Sequence, residues 1–292
     1  MSIPESQLET WSHIGAQATA KATHESVRRA IDNYSFPDGI KYNMFMQGSY
    51  KNGTNTYGNM DVDLIACLTS SFYSNLTVDQ CRQLRIVNQS YGFRDFKNDI
   101  LFALLDFFGI TKLDAGSKAI RIRKPINQLD CDVIACTEYR HYYAISPNSY
   151  YEGVTLWTKE GTQIVNYPKY HYENGVSKNQ RTNGNYKPTV RVFKNMRNKL
   201  VANYALTEHD APSYFVECLL HNIPDNLFAS SYSSTTLNVL NYLYRAKSNG
   251  IIEKFKCQHG LYDLFGTGNT QWNLDAAKTF ITKSIGLWNE WS

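Results

Sequence analysis

Apolar positions near the start of the chain recur every three or four residues: Leu8, Trp11, Ile14, Ala18, Ala22, Val27, Ile31 and Tyr34. That spacing is one face of an α-helix and predicts a single long N-terminal helix, opening near Pro4 and ended by Pro37-Asp38-Gly39. A strand over Tyr42–Met46 follows and leads into the stretch QGSYKNGTNTYGNMDVDLIACL, which reads as a glycine-serine turn, a polar loop and a second strand. Thr77 to Gln89 and Arg94 to Phe108 read as helices, the second with Phe96, Ile100, Leu104 and Phe107 on one face. From Lys118 to Thr158 the period changes to two, predicting several strands joined by polar turns. The stretch from Thr162 to Asn185 is polar and reads as a loop and lobe boundary. Beyond it helices are predicted over Tyr186–Val201, Pro212–Asn222, Ser234–Ser248 and Asn273–Trp288. The expected architecture is a two-lobed α/β (α+β) protein, with a sheet-bearing lobe over 1–165 and a helical lobe over 166–292.

Composition narrows the partners. Thirty Lys+Arg against 26 Asp+Glu leave +4, too mild for an obligate nucleic-acid binder. The 21 Tyr, with 14 Phe and 5 Trp, indicate an aromatic-rich interior before they indicate base recognition. The six cysteines form no CxxC pair and four lie in apolar runs, which reads as reduced core thiols in a cytoplasmic protein. No apolar run approaches the ~18 residues of a membrane span, so no membrane is expected among the partners.

The central stretch carries the chemistry. Alternate residues of a strand share a face, so Asp61 and Asp63 point one way while Val62 and Leu64 turn to the core. Two carboxylates ~7 Å apart along a strand can grip hard cations. Gly48 and Ser49 form a turn that can offer backbone N–H groups and a hydroxyl to phosphate. A later strand, QLDCDVIAC, places Asp130 and Asp132 on one face. A third carboxylate suits a two-metal phosphoryl-transfer site, where it ligates a metal and helps deprotonate the attacking hydroxyl. Spacing does not choose between Asp130 and Asp132. Taken singly, an Asp-x-Asp strand is more often a solvated edge, and it is the combination that points to function. His171 and His221 have no Cys or His at ligand spacing and read as local hydrogen-bonding residues.

GSY-x-N-x-T, then DVDL, then an Asp ahead of two apolar residues resembles the polymerase-β-like nucleotidyltransferase superfamily. More closely the chain resembles the bacterial CD-NTases, the cyclic-oligonucleotide synthases related to cGAS and oligoadenylate synthase. PKYHYENGVSKNQRT, YKPTVRVFKNMRN and PSYFVECLLHNIP are similar to the segments that follow in that group, so the likeness spans roughly residues 1–224. It implies a nucleotidyltransferase sheet beneath a long N-terminal helix, with the active site in a cleft before a helical lobe. Asp61 and Asp63 match the metal-binding pair, and Asp132, followed by Val133 and Ile134, matches the third carboxylate better than Asp130. Gly48 and Ser49 match the phosphate-contacting turn, with Gln47 beside it. Lys194 resembles the helix lysine that contacts the triphosphate, and Ser213-Tyr214 resembles the pair in which serine touches phosphate and tyrosine stacks on the base. Read without the likeness, Lys194 is an exposed helix lysine, Ser213 a helix-start residue and Tyr214 a core residue. Two departures stand out: Ala135 replaces a common proline, and no His-Cys-Cys-Cys zinc cluster exists, which argues against DNA activation of the animal type.

The resemblance implies two Mg²⁺ ions, or Mn²⁺ in their place, held by Asp61, Asp63 and Asp132. NTP substrates would be joined into a cyclic di- or oligonucleotide second messenger, with anti-phage (CBASS) signalling as the implied setting. A downstream effector would bind the product, regulatory or conjugation partners have a place, and nucleic acid is not required. The competing expectations are a nucleotidyltransferase acting on an RNA, protein or small-molecule acceptor, and a non-catalytic nucleotide- or RNA-binding module. Asn166, ahead of Pro168, reads first as a turn cap and second as an amide that reaches a base edge.

Overall fold

The computed structural model describes residues 2–15, 18–57, 62–87, 90–123 and 129–291. In chain order the elements begin with α1 (Glu5–Ser12), α2 (Ala18–Asp32), β1 (Tyr42–Gln47) and α3 (Gly48–Asn52). β2 (Val62–Ser74), α4 (Val78–Gln83), α5 (Phe93–Phe108), β3 (Leu113–Ala115), β4 (Ile120–Ile122), β5 (Cys131–Tyr142), β6 (Tyr150–Trp157) and β7 (Gln163–Asn166) follow. The remainder is helical: α6 (Pro168–Arg181), α7 (Tyr186–Ala202), α8 (Ser213–His221), α9 (Tyr232–Ser248) and α10 (Leu274–Asn289). They form two compact units: a sheet unit of Ala16–Tyr50 and Met60–Lys169, and a helical unit of Met1–Gly15, Lys51–Asn59 and Tyr170–Ser292.

The sheet unit holds a mixed seven-stranded sheet of order β1-β2-β5-β4-β3, with β6 beside the far half of β5 and β7 beyond β6. β2 runs parallel to β5 and every other pairing is antiparallel. β2 reads VDLIACL and is buried almost continuously, as a central strand covered on both faces should be. One face packs on α2 and α5: Val27 and Ile31 from α2 and Phe96, Ile100 and Leu104 from α5 meet Val62, Leu64, Ile120, Ile122 and Val133. Taking each of these side chains out of water contributes roughly 1.5–3 kcal/mol. Alternation then sends Asp63, Arg121 and Asp132 to the other face. Thr77 caps α4, its hydroxyl accepting the Gln80 N–H while Gln80 Oε1 accepts the Thr77 N–H. The helix is shorter than the sequence predicts, and Asn88 and Gln89 lie outside the described residues.

The helical unit is built on a core of Val190, Phe193 and Met196 from α7, Phe215 and Leu219 from α8, Val239 and Leu243 from α9, and Phe280 and Ile281 from α10. Leu8 of α1 joins it, and the Glu5 carboxylate accepts the Tyr232 and Ser233 N–H groups at 2.8 and 2.7 Å, capping α9. No helix among the described residues is long and apolar enough to cross a membrane.

Two sequence expectations change. The predicted N-terminal helix is two helices, because the chain leaves α1 at His13. The Ser12 carbonyl, which a continuing helix would use, accepts from Arg191 Nε, and the Gly15 N–H donates to Asn55 O at 3.1 Å. A Cβ on Gly15 would meet Thr56 O at 2.8 Å, so only glycine permits this approach. The polar stretch 162–185 is β7 and α6 rather than a loop. The inward stripe of α6 is His171, Gly175 and Lys178. Its spacing is helical and its chemistry polar, so hydrophobic periodicity could not reveal it.

Candidate active site

The pairings of the sheet unit draw a single transverse row. Gln47 of β1 is the partner of Asp63 of β2, Asp63 of Asp132 of β5, Asp132 of Arg121 of β4, and Arg121 of Asp114 of β3. Directly opposed residues project from the same face with Cβ atoms about 4.5–5.5 Å apart. Asp63 and Asp132 are thereby brought side by side from strands far apart in sequence. Both are half-buried, and their neighbours Val62, Leu64, Cys131 and Val133 anchor the other face. Asp61 lies outside the described residues.

The turn after β1 closes on this row. Gly48 has φ +69°, the left-handed region, and a Cβ built there would lie 2.2 Å from Asp63 Oδ2. The absent side chain is what leaves room for the carboxylate. Ser49 follows as the second residue of α3, half-buried. The buried Gln47 Oε1 is without a hydrogen-bond partner among the described residues. Carboxylate oxygens in register, an orphaned acceptor beside them and a glycine-made space fit a hard divalent cation. Asp130, the rival to Asp132, accepts from Arg121 Nη2 at 3.1 Å.

The C-terminal candidates lie in the helical unit around a buried carboxylate. Glu217 of α8 is 3% exposed and accepts from Lys194 Nζ at 2.6 Å, Thr54 Oγ1 at 2.6 Å, Asn52 Nδ2 at 2.8 Å and His171 Nε2 at 2.9 Å. Burial alone would raise its pKa, but the Lys194 charge and the His171 and Lys194 hydrogen bonds overcome this and hold the carboxyl well below the usual carboxylate range. Lys194 is thus an interior ion-pair partner, not the exposed helix lysine of the plain sequence reading; it is 3% exposed. Tyr214 is stacked on His171 at 4.6 Å and on Trp272 at 5.3 Å, so its ring is engaged within the unit. Ser213 opens α8 behind Pro212. His171 acts as the local hydrogen-bonding residue expected.

Three residues escaped sequence reasoning. Glu217 sits in an apolar helix and carried no partner signal; Asn52 and Thr54 stand in the GSY-x-N-x-T stretch, where the pattern marked them without saying what they bind.

Comparison with known proteins places this geometry. Residues 173–289 match the model of the cGAS/DncV-like nucleotidyltransferase C-terminal helical domain. A cyclic UMP-AMP synthase of Rhodothermus marinus is 45% identical over 294 residues, covering 100% of this chain and 99% of that one. The solved structure of the Rhodothermus marinus CdnE c-UMP-AMP synthase with Apcpp and Upnpp has a TM-score of 0.92 at 45% identity, covering 99% of this chain and 98% of that chain. A cyclic nucleotide synthase of Staphylococcus haemolyticus is 35% identical over 304 residues, with full coverage of both chains. A carboxylate row beside a glycine turn, a matched helical domain and full-length relatives at this identity together establish that the chain belongs to the CD-NTases, the cGAS/DncV-like nucleotidyltransferases.

Proposed function

We propose that the protein joins nucleoside triphosphates into a cyclic dinucleotide or larger cyclic oligonucleotide, releasing pyrophosphate at each bond. The observation that supports it most is the register of Asp63 with Asp132 beside the space left by Gly48. Asp61, Asp63 and Asp132 would hold two Mg²⁺, or Mn²⁺. Bound there, the ions supply charge stabilisation for the triphosphate and the leaving pyrophosphate. Asp132 takes the proton from the ribose hydroxyl that attacks the α-phosphorus of a second nucleotide. The Gly48-Ser49 turn orients phosphate oxygens through its N–H groups and the Ser49 hydroxyl, with Gln47 beside them. A second round of attack closes the ring. The full-length likeness to named cyclic nucleotide synthases supports the product class.

The enzyme works in the cytoplasm, where NTPs are supplied, and its product is read by an effector in anti-phage defence signalling. Purified protein given all four NTPs with Mg²⁺ or Mn²⁺ should yield a cyclic oligonucleotide by mass spectrometry. The Asp61→Asn/Asp63→Asn double variant should yield none while keeping the wild-type circular dichroism spectrum. Undiminished product from that variant, or no nucleotide-only product from the wild type, overturns the reading.

A further inference from the structure

The helical unit gathers more cations than carboxylates around one tyrosine. Lys51 stands in the last turn of α3, and its Nζ lies 4.6 Å from the centre of the Tyr172 ring of α6. Lys187, the second residue of α7, holds its Nζ 5.7 Å from the same ring. Glu217, the carboxylate whose charge Lys187 feels, is taken up by Lys194, Thr54, Asn52 and His171, and neither Lys51 nor Lys187 forms an ion pair among the described residues. Arg191, one turn further along α7, donates to the Ser12 and Gly53 carbonyls rather than to an acid. Four cations thus stand about one carboxylate, in a chain whose whole net charge is +4. Burial, opposed by Glu217 and helped by Arg191, lowers the Lys187 pKa, as it does for an ammonium partly taken from water without an anion in return.

We propose that Lys51 and Lys187 form an oligophosphate-binding pair, which takes the phosphate chain of a nucleoside triphosphate or the pyrophosphate released from it. The choice of ligand rests on the nucleotidyltransferase reading above. The Tyr172 face is worth only about 0.5–1 kcal/mol to a cation near the surface, which is little reason to hold two like charges on one ring. An oligophosphate supplies the reason, because it brings several negative charges along a flexible chain. A lysine ammonium is a compact point charge on a flexible stem, and two of them meet such oxygens from different directions. Lys194, the lysine that the family likeness offers for this task, keeps its ammonium on Glu217 at 2.6 Å in the interior. Lys51 instead is exposed and shares α3 with Ser49.

The test titrates inorganic tripolyphosphate, pyrophosphate and orthophosphate into the full-length protein by calorimetry, with divalent metal chelated so that the aspartates hold no cation. Each titration is repeated on Lys51→Gln, Lys187→Gln and the double variant, with melting temperature as a check on the fold. The wild type should bind tripolyphosphate more tightly than orthophosphate, and less tightly as salt is raised. Each single variant should lose about tenfold in that affinity, the scale of one charge-assisted hydrogen bond, and the double variant more, at the wild-type melting temperature. Steady-state kinetics with NTPs and Mg²⁺ then tell the two sources apart. A raised KM for NTP rather than a lowered kcat identifies the phosphate chain of the substrate, and weakened inhibition by pyrophosphate without a change in KM identifies the released product. Tripolyphosphate affinity that survives in the double variant overturns the proposal, and so does a wild type that binds none. Failure of the underlying reading looks different: the wild type would then make no nucleotide product while its lysine-dependent binding of tripolyphosphate persists.

Discussion

Gly48 holds a left-handed backbone angle within reach of Asp63 Oδ2, and any Cβ there must push that carboxylate aside. Gly48→Ala is therefore expected to cut turnover about a hundredfold, the scale of an ångström-level misplacement at a reacting centre. Stability should fall by far less than activity, and single-turnover kinetics beside a urea melt will separate the two. Equal proportional losses would mean that the glycine serves the fold alone. At this scale the sequence was legible wherever a local pattern mattered: the Gly-Ser turn after β1, Asp63 and Asp132 as strand residues, and the alternation that turns each away from its apolar neighbours. It left Asp130 and Asp132 unresolved, because both satisfy the same period of two. Pairing across strands sets Asp132 opposite Asp63, and that register is not encoded within a single strand.

Among the elements, α6, α7 and α8 depend on polar side chains turned inward. Glu217 gathers Lys194, His171, Asn52 and Thr54, and Lys178 of α6 donates to Ile223 O and Asp225 Oδ1, both at 2.7 Å. Glu217→Ala strands the Lys194 ammonium in the interior and should cost about 3–5 kcal/mol. Lys194→Met combined with Glu217→Gln should cost less than Glu217→Ala, because no unpaired charge remains buried. Urea unfolding of the three proteins measures the order; a double variant less stable than Glu217→Ala would show that hydrogen bonding and packing at this position outweigh the stranded charge. These contacts also explain what the hydrophobic pattern could not tell. α6 was hidden because its buried stripe is polar, and the break between α1 and α2 was hidden because its cause, Arg191 on Ser12 O, lies more than a hundred residues away. Helices α7 to α10 carry an apolar face besides, and their predicted bounds differ from the observed ones by at most two residues.

At the scale of the whole molecule, acid and product identity are the two outcomes that single contacts combine to set. Burial, and then the nearby Lys178 charge, push the His221 pKa down to about 4 from its ordinary 6.5, so the fold favours the neutral ring. Its contribution is complete above pH 6.5 and is lost as pH falls from 6.5 to 4, at up to ~1.4 kcal/mol per pH unit. Glu217, held low by Lys194 and His171, adds a second loss below the ordinary carboxylate range. The urea midpoint should fall from pH 6.5 downward, and His221→Asn should flatten the upper part of that slope; an unchanged slope would exclude the histidine. For product identity the residue to test is Asn166, the last residue of β7, whose Oδ1 accepts the Tyr167 N–H at 2.9 Å. That bond to the next N–H engages the carbonyl oxygen of the amide, whose other end carries two N–H donors. Donors alone meet an acceptor on O4 of uracil and on N1 of adenine alike, so it is the nucleotide spectrum of a variant that assigns the amide to uridine or removes it from recognition. Asn166→Asp separates the two roles, since it keeps the capping oxygen and removes the donors. Thermal stability should stay at the wild-type value while uridine incorporation falls relative to adenosine when products from each pair of NTPs are resolved by mass spectrometry. A nucleotide spectrum identical to that of the wild type would confine Asn166 to its cap.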